Sequence, residues 1–211
     1  MEGVRFIMAT PGVLTVTLAA TAGAFFIDPL SPVLLPVYVR QEFNDPTALG
    51  LALAAYGVGG LVGIAIFSRV SRVLKRAVFY RALWIAYAAA SFGLLVANNL
   101  AGLMVIVIAI GVTVGAIDPI ERAVRQDQTP AELRGRVFSA MYAIPKLVVP
   151  AGVLVAGALI EAHGLRVALL VFAIGNAVIA LVIMLIPSVR NIESRLPGEA
   201  SVPALQFSPK R

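Results

Sequence analysis

The sequence predicts an all-α membrane protein with six transmembrane helices, and three observations carry the prediction. The 211 residues are 60% hydrophobic and only 13% charged, whereas soluble domains average about 45–50% apolar and about 25% charged residues. The apolar residues gather in six long runs without polar alternation. A bilayer core about 30 Å thick needs roughly 20 apolar residues per helix, and hydrocarbon admits only helices or closed barrels. Barrel strands alternate apolar and polar positions, so unalternating runs are helices. The third observation is that the basic residues sort by side of the membrane, as set out below.

Taken in order, the spans run from about Gly12 to Val37, Ala48 to Phe67, Val78 to Ala97, Leu100 to Ile120, Val137 to Ile160 and Val167 to Pro187. The first is long and carries Asp28 among Pro29, Pro32 and Pro36. Its length and weakly basic start distinguish it from a cleaved leader, and it is expected to be retained. Asn98-Asn99 form a very short turn into the fourth span, and Glu161-Ala-His-Gly164 links the last two. These spans make one six-helix domain over residues 1–191. Residues 192–211 carry Pro197, Gly198, Pro203 and Pro209 without a long apolar face and read as a disordered cytoplasmic tail.

Short cytoplasmic loops are enriched in Lys and Arg. With the N-terminus inside, the inner segments hold Arg5; Arg69, Arg72, Lys75, Arg76 and Arg81; Arg122, Arg125, Arg134 and Arg136; and Arg190, Arg195, Lys210 and Arg211. Of the 17 basic residues, Arg40 and Arg166 fall outside, Lys146 lies deep within a span, and Arg81, counted with the inner set, sits at the inner start of the third span. Both termini are therefore expected in the cytoplasm. The net charge of +6 is explained by topology, and no nucleic-acid partner is needed to account for it. With no cysteine and a single histidine, His163, the chain has no thiolate or histidine-rich metal site, and no cofactor or metal is expected. No span holds a serine, histidine and aspartate set able to activate a nucleophile, so an enzyme is not expected.

Glycines in the second span, Gly57-Val-Gly59-Gly60-Leu-Val-Gly63, superficially resemble a dinucleotide loop. The spacing is off by one, no strand precedes them, and they lie inside an apolar span. Gly59 with Gly63, and Gly111 with Gly115, have instead the four-residue spacing that lets membrane helices approach closely.

Several stretches resemble the C-terminal half of a major facilitator superfamily transporter, closest to its bacterial macrolide and siderophore exporter branch. Glu2-Gly-Val-Arg-Phe6 with Thr10-Pro11 resembles the amphipathic lead-in to that family's seventh helix, and Pro32-Val-Leu-Leu-Pro36-Val-Tyr-Val-Arg40 resembles its end. Leu49 to Gly63 resembles the eighth helix, and Arg69 to Arg76 the basic loop that follows it. Thr129-Pro-Ala-Glu-Leu-Arg134-Gly135-Arg136-Val-Phe-Ser139 stands where the family's loop into helix eleven stands. Two features depart from the pattern: the family's usual member has twelve spans, and Phe67 and Ser68 occupy places where an acidic residue precedes the loop's first arginine. The resemblance implies one half of a secondary active efflux transporter for drugs or siderophores. It would be coupled to protons and work by alternating access with a second six-helix half, either another copy or a separate chain. The expected setting is the bacterial inner membrane. An interaction protein that modulates another transporter is the alternative.

An ionisable group at mid-membrane costs about 2.5–3.5 kcal/mol on insertion scales, so a retained one faces a wet cavity or a protein interior. Lys146 lies about 14 Å from the inner end of its span, between Pro145 and Pro150, whose freed carbonyls could line a cavity. It reads as a cavity-facing residue or as a structural lysine paired inside the bundle. Asp28, about 24 Å from the inner end, has Pro29, Ser31 and Pro32 beside it, which suggest a broken, cavity-lining helix end. It either lines the substrate or proton path or caps a kinked segment near the outer interface. Asp118, about 27 Å from the outer end, falls near the inner interface and is the third pathway candidate. An Asp28–Lys146 pair would have to close a depth difference of about 10 Å, against the 4 Å or less of an ion pair. Ile27-Asp28-Pro29 and Ile117-Asp118-Pro119 repeat one tripeptide in the first and fourth spans, which correspond in a 3+3 inverted repeat. The basic run from Arg69 to Arg81, with Arg69, Arg72, Lys75 and Arg76 as its loop, is expected to enforce topology and meet anionic lipid headgroups, with a gating contact as the alternative. Tyr56, Trp84 and Tyr87 read as packing residues and His163 as solvated.

Overall fold

A computed structural model describes residues 2–71 and 73–193. It is a bundle of α-helices: α1 (Glu2–Ala9), α2 (Pro11–Phe26), α3 (Leu34–Glu42), α4 (Pro46–Val70), α5 (Arg76–Gly93), α6 (Leu100–Gln128), α7 (Arg134–His163) and α8 (Leu165–Leu185). Three short 3-10 segments complete it, Asp28–Leu30, Ala131–Leu133 and Pro187–Glu193. We call the end where α2 begins and α8 finishes the terminal end, and the opposite end the far end.

Helix boundaries follow local chemistry. Thr10 is extended and Pro11 opens α2, where a missing N–H costs nothing. Asp45 caps α4 by accepting from the Thr47 N–H at 2.8 Å, and Asn99 caps α6 by accepting from Gly102 N–H at 2.7 Å. Asn44 just before that first cap takes φ 49°, which asparagine tolerates. Gly164 at φ 85° is the hinge between α7 and α8 and needs no cap residue beyond its own missing Cβ.

Five helical stretches among the described residues are long and apolar enough to cross a membrane: Pro11–Glu42, Pro46–Val70, Leu100–Gln128, Ala131–His163 and Leu165–Leu185. The expected third span, α5, does not meet that standard, which corrects the count of six on hydropathy. It is short, begins on Arg76 and carries Arg81, and its bulk is aromatic rather than aliphatic. Tyr80, Trp84 and Tyr87 are all buried, so α5 is held by neighbours rather than by lipid. The first span is a broken one: α2 ends at Phe26, the Asp28–Leu30 turn intervenes, and α3 resumes at Leu34. Prolines at 29 and 32 remove donors from that stretch and enforce the break. The sixth span runs Leu165–Leu185 and the fourth extends to Gln128, eight residues past the predicted Ile120. Ser188 to Glu193 lie in a 3-10 segment with Val189 and Ile192 buried. The rest of the predicted tail, with Arg195, Lys210 and Arg211, lies outside the described residues.

Packing is densest between α4 and α6. A Cβ on Gly59 or Gly63 would overlap the Ile108 or Val112 carbonyl, and one on Gly111 or Gly115 would overlap the Tyr56 or Gly60 carbonyl. The two backbones touch, as the four-residue glycine spacing predicts. On the other side of the bundle, α1 and α2 run parallel to α7. Gly3 abuts the Arg136 carbonyl at one level and Gly152 the Phe25 carbonyl at the next. Two apolar cores stack along the bundle. One surrounds Tyr80, Trp84, Ile120 and Met141 toward the terminal end, and the other surrounds Tyr38, Leu103, Ile110 and Phe172 toward the far end.

A charged cleft between the broken first span and α7

The break in the first span places Asp28 at the start of its 3-10 turn, and α7 carries Lys146 one residue beyond Pro145. Lys146 Nζ donates to Asp28 Oδ2 at 3.2 Å, closing the contact that backbone depth argued against. The depth estimate compared Cα positions. The Cβ tilt shifts both side chains alike in two parallel helices, so it is the reach of the four-carbon lysine stem toward the break at Asp28 that spans the difference. The pair is accessible, with side chains 35% and 74% exposed for Asp28 and Lys146.

Both residues line a cleft of about 290 Å3 between α2, α6 and α7. Asp118, Glu121, Arg122 and Arg125 project into it from α6, and Trp84, Met141 and Tyr142 form apolar wall. Each carboxylate has its own cation. Asp118 accepts from Arg122 at 2.8 Å on the exposed part, and Glu121 accepts from Arg125 at 2.9 Å with both side chains only 5% exposed. Glu121 also takes the Tyr80 hydroxyl at 2.9 Å, so both of its oxygens are occupied. Arg125 lies over the Tyr142 ring at 5.3 Å, a cation–π distance, and its Nε has no hydrogen-bond partner. A buried pair in this setting is stable only while both members stay charged and hydrogen-bonded.

A second cavity of about 120 Å3 lies on the far side of Asp28, among Leu35, Leu53, Tyr56 and Val107. Ile27, Asp28 and Val114 line both spaces and form the partition between them. Asp28 therefore stands where the terminal-side cleft and the far-side cavity meet.

Of the residues singled out from sequence, Lys146 and Asp28 are brought together, and Asp118 shares their cleft but pairs with Arg122. Ile27, Asp28, Ile117 and Asp118 of the repeated tripeptides all line the cleft. The basic loop is not one cluster: Arg69 is exposed in the last turn of α4, Lys75 is the exposed N-cap of α5, and Arg76 is bonded to Asp127 of α6. Arg72 lies outside the described residues. His163 is exposed at the end of α7. The Glu121–Arg125–Tyr80 group was missed, because the charges after Ile120 read as a loop. Ile117, Ile120 and Val124 keep the helical apolar spacing past that point, and all three are buried.

A family model described as Major Facilitator Superfamily matches residues 13–209. The chain belongs to the Major Facilitator Superfamily. It is accordingly a multi-pass membrane protein of a transporter family, not an enzyme. Among its relatives are proteins named multidrug efflux pump Tap. That of Mycolicibacterium fortuitum is 29% identical over 193 residues, covering 92% of this chain and 47% of the relative. Those of Mycobacterium bovis (strain BCG / Pasteur 1173P2) and Mycobacterium tuberculosis (strain ATCC 25618 / H37Rv) are 30% identical over 197 residues, covering 91% of this chain and 46% of theirs. The chain thus spans about half the length of the curated relatives it matches, and for a major facilitator the charged cleft is the place to look for chemistry.

Proposed function

We propose that this chain is one half of a secondary active efflux transporter that exports drugs in exchange for protons, working by alternating access with a second six-helix half. The terminal end then faces the cytoplasm, as the basic residues of the predicted inner segments require. The bilayer is the bacterial inner membrane. The observation that carries the reading is Asp28, ion-paired to Lys146 at the partition between a terminal-side cleft and a far-side cavity. An alternating-access protein needs a group near mid-depth that is reachable from either side in turn. The Tap relatives' name supports drug efflux as the activity, and the apolar faces left exposed on α4 and α7 support a second half as the covering surface.

The pair works as a displaceable latch. While Lys146 holds Asp28, the carboxylate is neutralised without a proton. A cationic drug or a proton arriving at Asp28 replaces Lys146, and the loss of that contact between the first span and α7 changes how the two helices are held. The test is efflux of a fluorescent cationic drug from cells that express the chain alone, or with a six-helix N-terminal half of a Tap relative. Lys146→Ala and Asp28→Asn should each abolish efflux with membrane expression unchanged. Unaltered efflux in both variants defeats the site assignment, and absence of efflux in every combination with the native chain defeats the transport reading.

A further inference from the structure

Away from the cleft, between α2 and α8, the molecule carries a groove of about 430 Å3. Its walls are apolar, with Leu14, Leu18 and Ala22 from one helix facing Val178, Val182 and Ile186 from the other. Leu18, Val178 and Val182 are exposed, so none of the described residues covers it. At the terminal end the lining turns polar. Thr15 and Ser188 both line the groove there; the Thr15 hydroxyl donates to the Pro11 carbonyl at 2.7 Å and accepts from the Ser188 hydroxyl at 2.9 Å.

Arg81 reaches the same end from α5. Its Nε donates to the Ile183 carbonyl at 3.3 Å and its Nη2 to the Ile186 carbonyl at 3.4 Å, and both isoleucines line the groove. Those carbonyls belong to the last turn and C-cap of α8, where carbonyls lack intrahelical partners; that of Ile186 also accepts from the Val189 N–H at 3.4 Å. A neutral amide would satisfy them. The full positive charge goes further than capping requires, and among the described residues it has no carboxylate partner.

We infer that the groove seats one anionic phospholipid, with an acyl chain along the α2–α8 walls and the headgroup phosphate against Arg81 at the polar end marked by Thr15 and Ser188. The apolar walls, Leu14 to Ala22 and Val178 to Ile186, run about 12 Å, most of one leaflet of a core about 30 Å thick, and the polar end sits where α2 begins and α8 finishes. A cation without a carboxylate partner among the described residues selects anionic over zwitterionic lipid at that level, and the arginine stem can lie along apolar surface while its head stays at the interface. A protein helix in the groove would need a carboxylate placed at Arg81. The lipid phosphate supplies that charge without any partner sequence. The inference is independent of transport.

The experiment is native mass spectrometry of the delipidated full chain titrated with phosphatidylglycerol or phosphatidylcholine of identical acyl chains. The native chain should prefer phosphatidylglycerol about fivefold, the factor one interfacial arginine is worth. Arg81→Gln keeps donors for the two carbonyls and should bring the two lipids to equal affinity, Arg81→Lys should retain the preference, and Leu18→Trp should weaken both lipids. Melting temperatures within a few degrees of native across the set exclude misfolding as the cause. Equal affinity for the two lipids in the native chain, or an undiminished preference in Arg81→Gln, overturns the inference. Because the chain has no cysteine, Val178→Cys gives a single crosslinking site. A Val178–Val178 crosslinked dimer in membranes would assign the groove to a second copy and overturn it as well.

Discussion

Helix α6 has two halves that solve opposite problems. Toward the far end, Gly111 and Gly115 bring it into backbone contact with α4, leaving no side chain, water or charge between the helices. Toward the terminal end, the same helix presents Asp118, Glu121, Arg122 and Arg125 to an open cleft shared with α2 and α7. The seam is held by proximity, since membrane helices gain from close van der Waals packing rather than from hydrophobic collapse. The cleft is held by charge pairs rather than by backbone contact. One helix is thus anchored on one half of its length and adjustable on the other, and the contrast says where motion can occur.

The sharpest way to break that contrast is Glu121→Ala. It strands Arg125 in a buried site and should cost about 3–5 kcal/mol of stability, read as a large fall in detergent melting temperature. Replacing both residues by apolar ones of similar volume, Glu121→Leu with Arg125→Met, should recover most of the loss if charge burial is the cause. Second in size is Gly63→Val, which drives a branched side chain into the Val112 carbonyl and should cost about 1–3 kcal/mol or more as overpacking. Its control lies six residues earlier: Gly57 has nothing within 4 Å of a Cβ position. Gly57→Ala should therefore be neutral or stabilising by about 0.5–1 kcal/mol through helix propensity alone. Smallest in stability is Lys146→Ala. An accessible pair is worth about 1 kcal/mol or less, so its melting temperature should stay near native while drug efflux is lost. A melting loss as large as that of Glu121→Ala would show that Asp28–Lys146 is a structural clamp and not a displaceable one.

Much of this arrangement was legible beforehand where a single physical variable decides the outcome. Helix existence followed from hydropathy, and the α4–α6 seam from glycine spacing, because a missing Cβ has one use on an apolar helix. The break around Asp28 followed from Pro29 and Pro32. What escaped prediction depends on how elements sit relative to one another. Residue counting gave Asp28 and Lys146 different depths, and only side-chain reach across two parallel helices joins them. Glu121 and Arg125 read as loop charges because hydropathy averages them with Arg122 and Asp127, whereas burial is decided by the faces of α5 and α7 that pack over them. Arg76–Asp127 is similarly a tertiary fact, linking the start of α5 to the end of α6. The shortfall of α5 as a span has the same origin, since its tyrosines and arginines are tolerated because neighbouring helices cover them.

The glycine seam also sets what the sequence is free to become. At Gly59, Gly63, Gly111 and Gly115 every possible mutation adds atoms, and the space for the first of them is already taken by a carbonyl. The cleft has no such one-sided constraint, since its exposed carboxylates and cations can be lengthened, shortened or exchanged without displacing backbone. Single substitutions can therefore accumulate in the exposed part of the cleft, while the frame that carries it tolerates almost none.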